Sequence, residues 1–82
     1  MMKPLTKLSQ GEKAFIVDMR DEELCKTLFE LGVFPGDLLE VKENQIDTNS
    51  VIVRVNNRTL NLFRNSAETI ITNIVSFEFN LN

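Results

Sequence analysis

The sequence predicts a mostly β fold, a small antiparallel barrel of about five short strands with one short α-helix and a capped helical turn. Three observations carry that expectation. Apolar residues alternate with polar ones in several short runs, the signature of half-buried strands. A single segment, Leu24 to Leu31, repeats its leucines at helical spacing instead. An Asn56-Asn57 pair between two alternating runs marks a tight hairpin, because asparagine enters left-handed geometry cheaply.

From the N-terminus, Lys3 to Gln10 reads as an entry segment anchored by Leu5 and Leu8, with a turn at Gly11. Lys13 to Asp18 is the first strand, Ala14 and Ile16 on one face and Phe15 and Val17 on the other. The helix covers about Asp21 to Leu31. Asp21 suits the N-cap, and Glu22 and Glu23 place negative charge at the positive end of the helix dipole. Leu24, Leu28 and Leu31 form its apolar stripe, widened by Cys25 and Phe29. Gly32 supplies the left-handed residue that ends it, so Val33 folds back onto Leu28 as in a Schellman cap. Pro35-Gly36 then spells a type II turn, proline presetting one dihedral and glycine accepting the positive one.

Leu38 to Glu43 is the next strand, Leu39 and Val41 alternating with Glu40 and Lys42. A polar loop follows, Ile46 to Ser50. The hairpin pairs Val51–Val55 with Arg58–Phe63 and buries Leu60 and Leu62. Asn65 is expected to cap a helical turn, with Glu68 reaching back to close the box. Ile70 to Val75 is β-branched and strand-like. Residues 1–82 form one domain whose core spans about 5–75. Residues 76–82 make a final strand or tail, in which Phe77, Phe79 and Leu81 share a face.

Composition excludes much chemistry. With no histidine among 82 residues there is no imidazole base, proton relay or imidazole metal ligand. Cys25 is the only cysteine, so no intramolecular disulfide forms, and its place on the apolar stripe suits a buried, inert thiol. Thiolate metal sites need several converging ligands. The consecutive Asp21, Glu22 and Glu23 splay apart on a helix, and the three glycines match no phosphate-binding loop. Neither catalysis nor a resident cofactor or metal is expected. No apolar run approaches the roughly 20 residues of a membrane-spanning helix. No secretory h-region follows the N-terminal lysines, so the expected location is the cytoplasm. The net charge of −3 opposes non-specific nucleic-acid binding. The charged residues from Val51 to Arg64 are all arginines, however: Arg54, Arg58 and Arg64. Beside Phe63 they sketch a small stacking platform, and their plainer reading is solvated strand surface.

The same residues, taken in order, resemble the FeoA family, small cytoplasmic partners of the bacterial ferrous-iron transporter FeoB. Leu5, Leu8, Gly11 and Ala14 match the family's opening. Leu28, Leu31, Gly32, Val33, Pro35 and Gly36 match its central leucine, leucine-glycine and proline-glycine signature. Leu39 and Val41, then Val53, Val55, Leu60 and Leu62, fit its strands and hairpin, and Ala67 and Ile70 its closing turn. The match runs from Leu5 to about Ile74. Its departures are the loop Asp47-Thr48-Asn49-Ser50, the turn Asn56-Asn57 and the spacing Leu62-Phe63-Arg64. The resemblance implies an SH3-like barrel, an interaction role without catalysis, and binding to FeoB that modulates iron uptake. Related domains close DtxR-type metal-dependent repressors, so a stand-alone relative of those, or a small nucleic-acid-binding barrel, is the alternative. Two stretches are the expected contact surface: the turn Val33, Phe34, Pro35 and Gly36, and the tail Phe77, Phe79 and Leu81. The tail also offers a route to a homo-oligomer. Gly32, Leu28 and Leu31 are expected to be structural, and Phe34 is expected to close the barrel if it does not face a partner.

Overall fold

The computed structural model describes residues 1–75. Six strands form one antiparallel sheet: β1 (Met2–Pro4), β2 (Lys13–Met19), β3 (Leu38–Glu43), β4 (Ser50–Val55), β5 (Arg58–Phe63) and β6 (Ile70–Ile74). Their order across the sheet is β1-β6-β2-β3-β4-β5. Helix α1 (Glu22–Glu30) lies between β2 and β3, and the single turn α2 (Arg64–Ala67) between β5 and β6. The mostly β class with one short helix holds. Two details differ among the described residues: there are six strands, and the sheet does not close, since β1 and β5 stand at opposite ends.

The sixth strand is Met2–Pro4, in the segment expected only to lead into the fold. It pairs with β6, Lys3 opposite Thr72, and the buried Thr72 hydroxyl donates to the Lys3 carbonyl at 2.8 Å. Leu5, which opens the 3-10 turn Leu5–Lys7, and Leu8, which follows it, are the anchors expected of them, both fully buried.

The core is the inward row of each strand. Ala14, Ile16 and Met19 of β2 meet Leu39 and Val41 of β3 and Val51, Val53 and Val55 of β4. Leu5, Leu8, Leu28, Val33, Leu62, Ala67 and Ile70 complete it. The step from Ile16 to Met19 breaks strict alternation, and the ladder absorbs the extra residue as a bulge between Ile16 and Asp18. Without it Asp18, not Met19, would face the core. The hairpin has the expected register, Val55 opposite Arg58, and Asn56 and Asn57 carry φ of 51° and 64°. It buries Leu62, whereas Leu60 is half-buried.

The expected box around Asn65 does not form. Strand β5 runs straight into α2, with Phe63 in the cap position and the Arg64 amide already donating to the Asn49 carbonyl. Asn65 is therefore inside the turn. Glu68 caps its C-terminal end and accepts from the Thr6 hydroxyl.

Candidate partner interface

The segment from Asp21 to Leu38 gathers three exposed large apolar side chains, Phe29, Phe34 and Leu38, around a tight turn. Asp21 caps α1 as expected, its carboxylate accepting from the Glu23 and Leu24 amides at 3.0 and 3.2 Å. At the other end Gly32 has φ +79°, the Gly32 amide donates to Phe29 O at 3.0 Å, and Val33 donates to Leu28 O at 2.8 Å. That pair of bonds is a Schellman motif, with Val33 and Leu28 both buried beneath it. The turn follows at once: Asp37 donates to Phe34 O at 3.1 Å across Pro35-Gly36, and Gly36 has φ +98°.

Side chains then lock this turn to its neighbours. The Asp37 carboxylate accepts from the Phe34 amide at 2.8 Å and from Asn56 Nδ2 at 2.9 Å, while the same Asn56 amide donates to Gly32 O at 3.0 Å. The Gly36 amide donates to Ile16 O at 2.7 Å and Ile16 donates to Asp37 O at 2.9 Å, stitching the turn to β2. The helix cap, the proline turn and the hairpin tip are thus one unit.

Phe34 sits on that unit and remains 45% exposed. It does not close the barrel. Its ring packs on Phe29 instead, centroids 5.0 Å apart and planes tilted by 40°. Phe29 is equally exposed, so it does not widen the buried stripe of α1. At about 100° per residue it lies well off the line through Leu24, Leu28 and Leu31. Leu28 is buried, and Leu24, Cys25 and Leu31 pack half-buried against the core. Phe15 and Leu38, paired across β2 and β3 on the outer face, add 44% and 43% exposed apolar side chains. A shallow cleft lined by Lys13, Leu38, Glu40, Arg54 and Asn56 borders Leu38 on that face.

Of the expected contact residues, Val33 is turned inward, whereas Phe34, Pro35 and Gly36 face out. Phe77, Phe79 and Leu81 lie outside the described residues. Phe15, Phe29 and Leu38 belong to this surface but not to the set named from sequence. For Phe15 the signal was present in the alternation of β2. For Phe29 it was the helical angle.

The arginines do not assemble a platform. Arg64 turns into the 44–50 loop, where its guanidinium donates to Asn44 Oδ1, Gln45 O, Thr48 O and Ser50 O at 2.7 to 3.3 Å. Arg54 donates to the Thr59 hydroxyl at 3.2 Å, and Arg58 is exposed. Among the described residues no three His, Cys, Asp or Glu side chains cluster as a metal site would need. No helix of the described residues is long and apolar enough to cross a membrane.

Comparison with known proteins settles the family. The model of the FeoA domain matches residues 3–73. The chain belongs to the FeoA family. Its fold is similar to the crystal structure of an iron uptake regulatory protein (FeoA), with TM-score 0.78 and 20% identity, over 92% of this chain and 99% of that one. It is similar also to the solution structure of the FeoA protein from Chlorobium tepidum, with TM-score 0.82, 24% identity and coverage of 95% and 75%. A manganese-dependent transcriptional repressor shares the architecture at TM-score 0.78 and 14% identity, this FeoA-family chain spanning 42% of its length. No curated protein matches the sequence.

Proposed function

We propose that this FeoA-family chain is a non-catalytic cytoplasmic module of ferrous-iron uptake that binds the cytoplasmic part of a FeoB-type transporter and modulates it. The observation that carries this reading is the Phe29–Phe34 pair, half-exposed yet held by a turn with backbone and side-chain locks on three sides. An aromatic anchor that is already ordered loses little entropy on docking. Pro35, Gly36, Leu38 and Phe15 extend the apolar surface around it. Modulation further requires that the module favour one transporter state, since equal affinity for both shifts nothing. The likeness to the manganese-dependent repressor is one of architecture, which hosts more than one function.

Titration calorimetry of the chain against the cytoplasmic part of the transporter tests this. Phe34→Ala is expected to weaken binding by about tenfold or more while leaving the melting temperature near that of the parent. Absence of binding, or binding indifferent to Phe34 and Phe29 together, overturns the assignment. Anaerobic titration with ferrous iron alone is expected to give no stoichiometric site of micromolar or better affinity; such a site would make the chain a carrier instead.

A further inference from the structure

The sheet ends at β5, and among the described residues nothing pairs with the outer edge of that strand. The hairpin register says which groups lie open there. A two-residue turn makes Val55 and Arg58 a hydrogen-bonded pair, so Arg58, Leu60 and Leu62 spend their backbone groups on β4. The amides of Thr59, Asn61 and Phe63 therefore point away from the sheet. Protection of this edge is slight: β5 has no proline, no lysine and no bulge, and its one charged residue, Arg58, stands at the hairpin end.

Two side chains add a direction. Phe63 is 70% exposed on the outer face, in the same row as Thr59 and Asn61. Arg54 of β4 leans across that face toward the edge, its guanidinium held by the Thr59 hydroxyl at 3.2 Å. A bare ring and a tethered cation thus stand on either side of Asn61 on the same edge.

We propose that β5 is a homodimerisation strand, pairing antiparallel with β5 of a second copy about a two-fold axis at Asn61. In that register the two Asn61 residues exchange backbone hydrogen bonds across the axis. The Phe63 amide of each copy donates to the Thr59 carbonyl of the other. The partner's Phe63 lies opposite Thr59 and beside Arg54, which sets its ring against the guanidinium. Half-buried Leu60 meets the partner's Leu62 on the inner side. Every contact occurs twice, as a closed two-fold interface requires, so pairing stops at the dimer. The aromatic turn around Phe34 takes no part and stays open to another protein.

An interface of one strand is small, so the dimer is expected to be weak, with a dissociation constant on the order of 100 µM. Sedimentation velocity over a concentration series of the full chain is the experiment. Phe63→Ala is expected to weaken the dimer about tenfold by removing the ring from Arg54. Asn61→Lys, which sets two like charges face to face at the axis, is expected to abolish it at low salt. Both positions are exposed and leave the β4 ladder intact, and circular dichroism checks that each variant folds. A chain that stays monomeric throughout the series overturns the proposal. So does a dimer indifferent to both substitutions, or one lost on truncation after Val75 but not in Phe63→Ala, since either places the interface elsewhere.

Discussion

Two irregular segments of this domain are held still by opposite means. The turn Val33–Asp37 is ordered by its own backbone: a left-handed glycine, a proline-preset dihedral and a second left-handed glycine. The loop from Asn44 to Ser50 contains no such residues. Beyond the local bonds of Thr48 to Gln45 O and Ser50 O, its order comes from Arg64, which lies beyond the hairpin and donates to acceptors on four loop residues. Asn44 extends the clamp, its Nδ2 donating to Thr6 O at 3.0 Å and Leu8 O at 2.6 Å. The first segment is shaped mainly by its glycine and proline dihedrals, the second mainly by a side chain that arrives from elsewhere. The first presents a rigid aromatic anchor because its dihedrals are set locally, and its bonds to Ile16 and Asn56 then dock it on the sheet. The second ties the N-terminal segment, the loop and α2 together, so it fails as a unit.

The largest expected effect breaks the clamp. Arg64→Ala removes charge-assisted bonds to four acceptors, of which Asn44 Oδ1 and Thr48 O have no other donor among the described residues, at a cost of about 3 kcal/mol. Urea unfolding measures it, and an unchanged midpoint would show that the loop holds itself. Next is Gly32→Val. A β-carbon there would meet nothing within 4 Å, so the expected loss of about 2 kcal/mol comes from the φ of +79° alone. Gly32→Asn, which tolerates that geometry, is expected to lose visibly less, and equal losses would refute the backbone origin. Asp21→Ala removes the N-cap and is expected to cost about 1 kcal/mol. The smallest effect sharpens the comparison. Asn56→Gly keeps the hairpin geometry but cuts the links to Gly32 and Asp37, for about 0.5 kcal/mol of stability. Amide exchange at Phe34 should nonetheless accelerate, whereas exchange at Thr48 should not change.

What could be read in advance follows the same division. Asp21, Gly32, Pro35-Gly36 and Asn56-Asn57 each impose a local dihedral or a local donor, and each sits in the conformation expected of it. Alternation likewise set Ala14 with Ile16, Leu39 with Val41, and Val51 with Val53 and Val55 on common faces, and the structure turns each of those faces inward. The misreadings share a cause. Asn65 and Glu68 have the spacing of a capping box, but β5 delivers the chain into the turn two residues early. Phe34 is aromatic beside a buried valine, and only the assembled turn shows that its ring packs on Phe29 outside the core. Arg64 looks like surface charge in a one-dimensional string, because the carbonyls it serves lie 14 to 19 residues earlier.

By itself, then, the order of residues determined the class of fold, the helix with both its caps, the two tight turns and the inward row of most strands. These depend on interactions within about four residues or on a period of two or 3.6. Tertiary structure alone decided that Met2–Pro4 joins the sheet, that among the described residues the sheet stays open at β5, that Arg64 spans a loop and that Phe15, Phe29, Phe34 and Leu38 remain exposed. Those outcomes depend on which distant backbone groups are left without a partner and which faces the core has room to cover. No local preference along the chain encodes either.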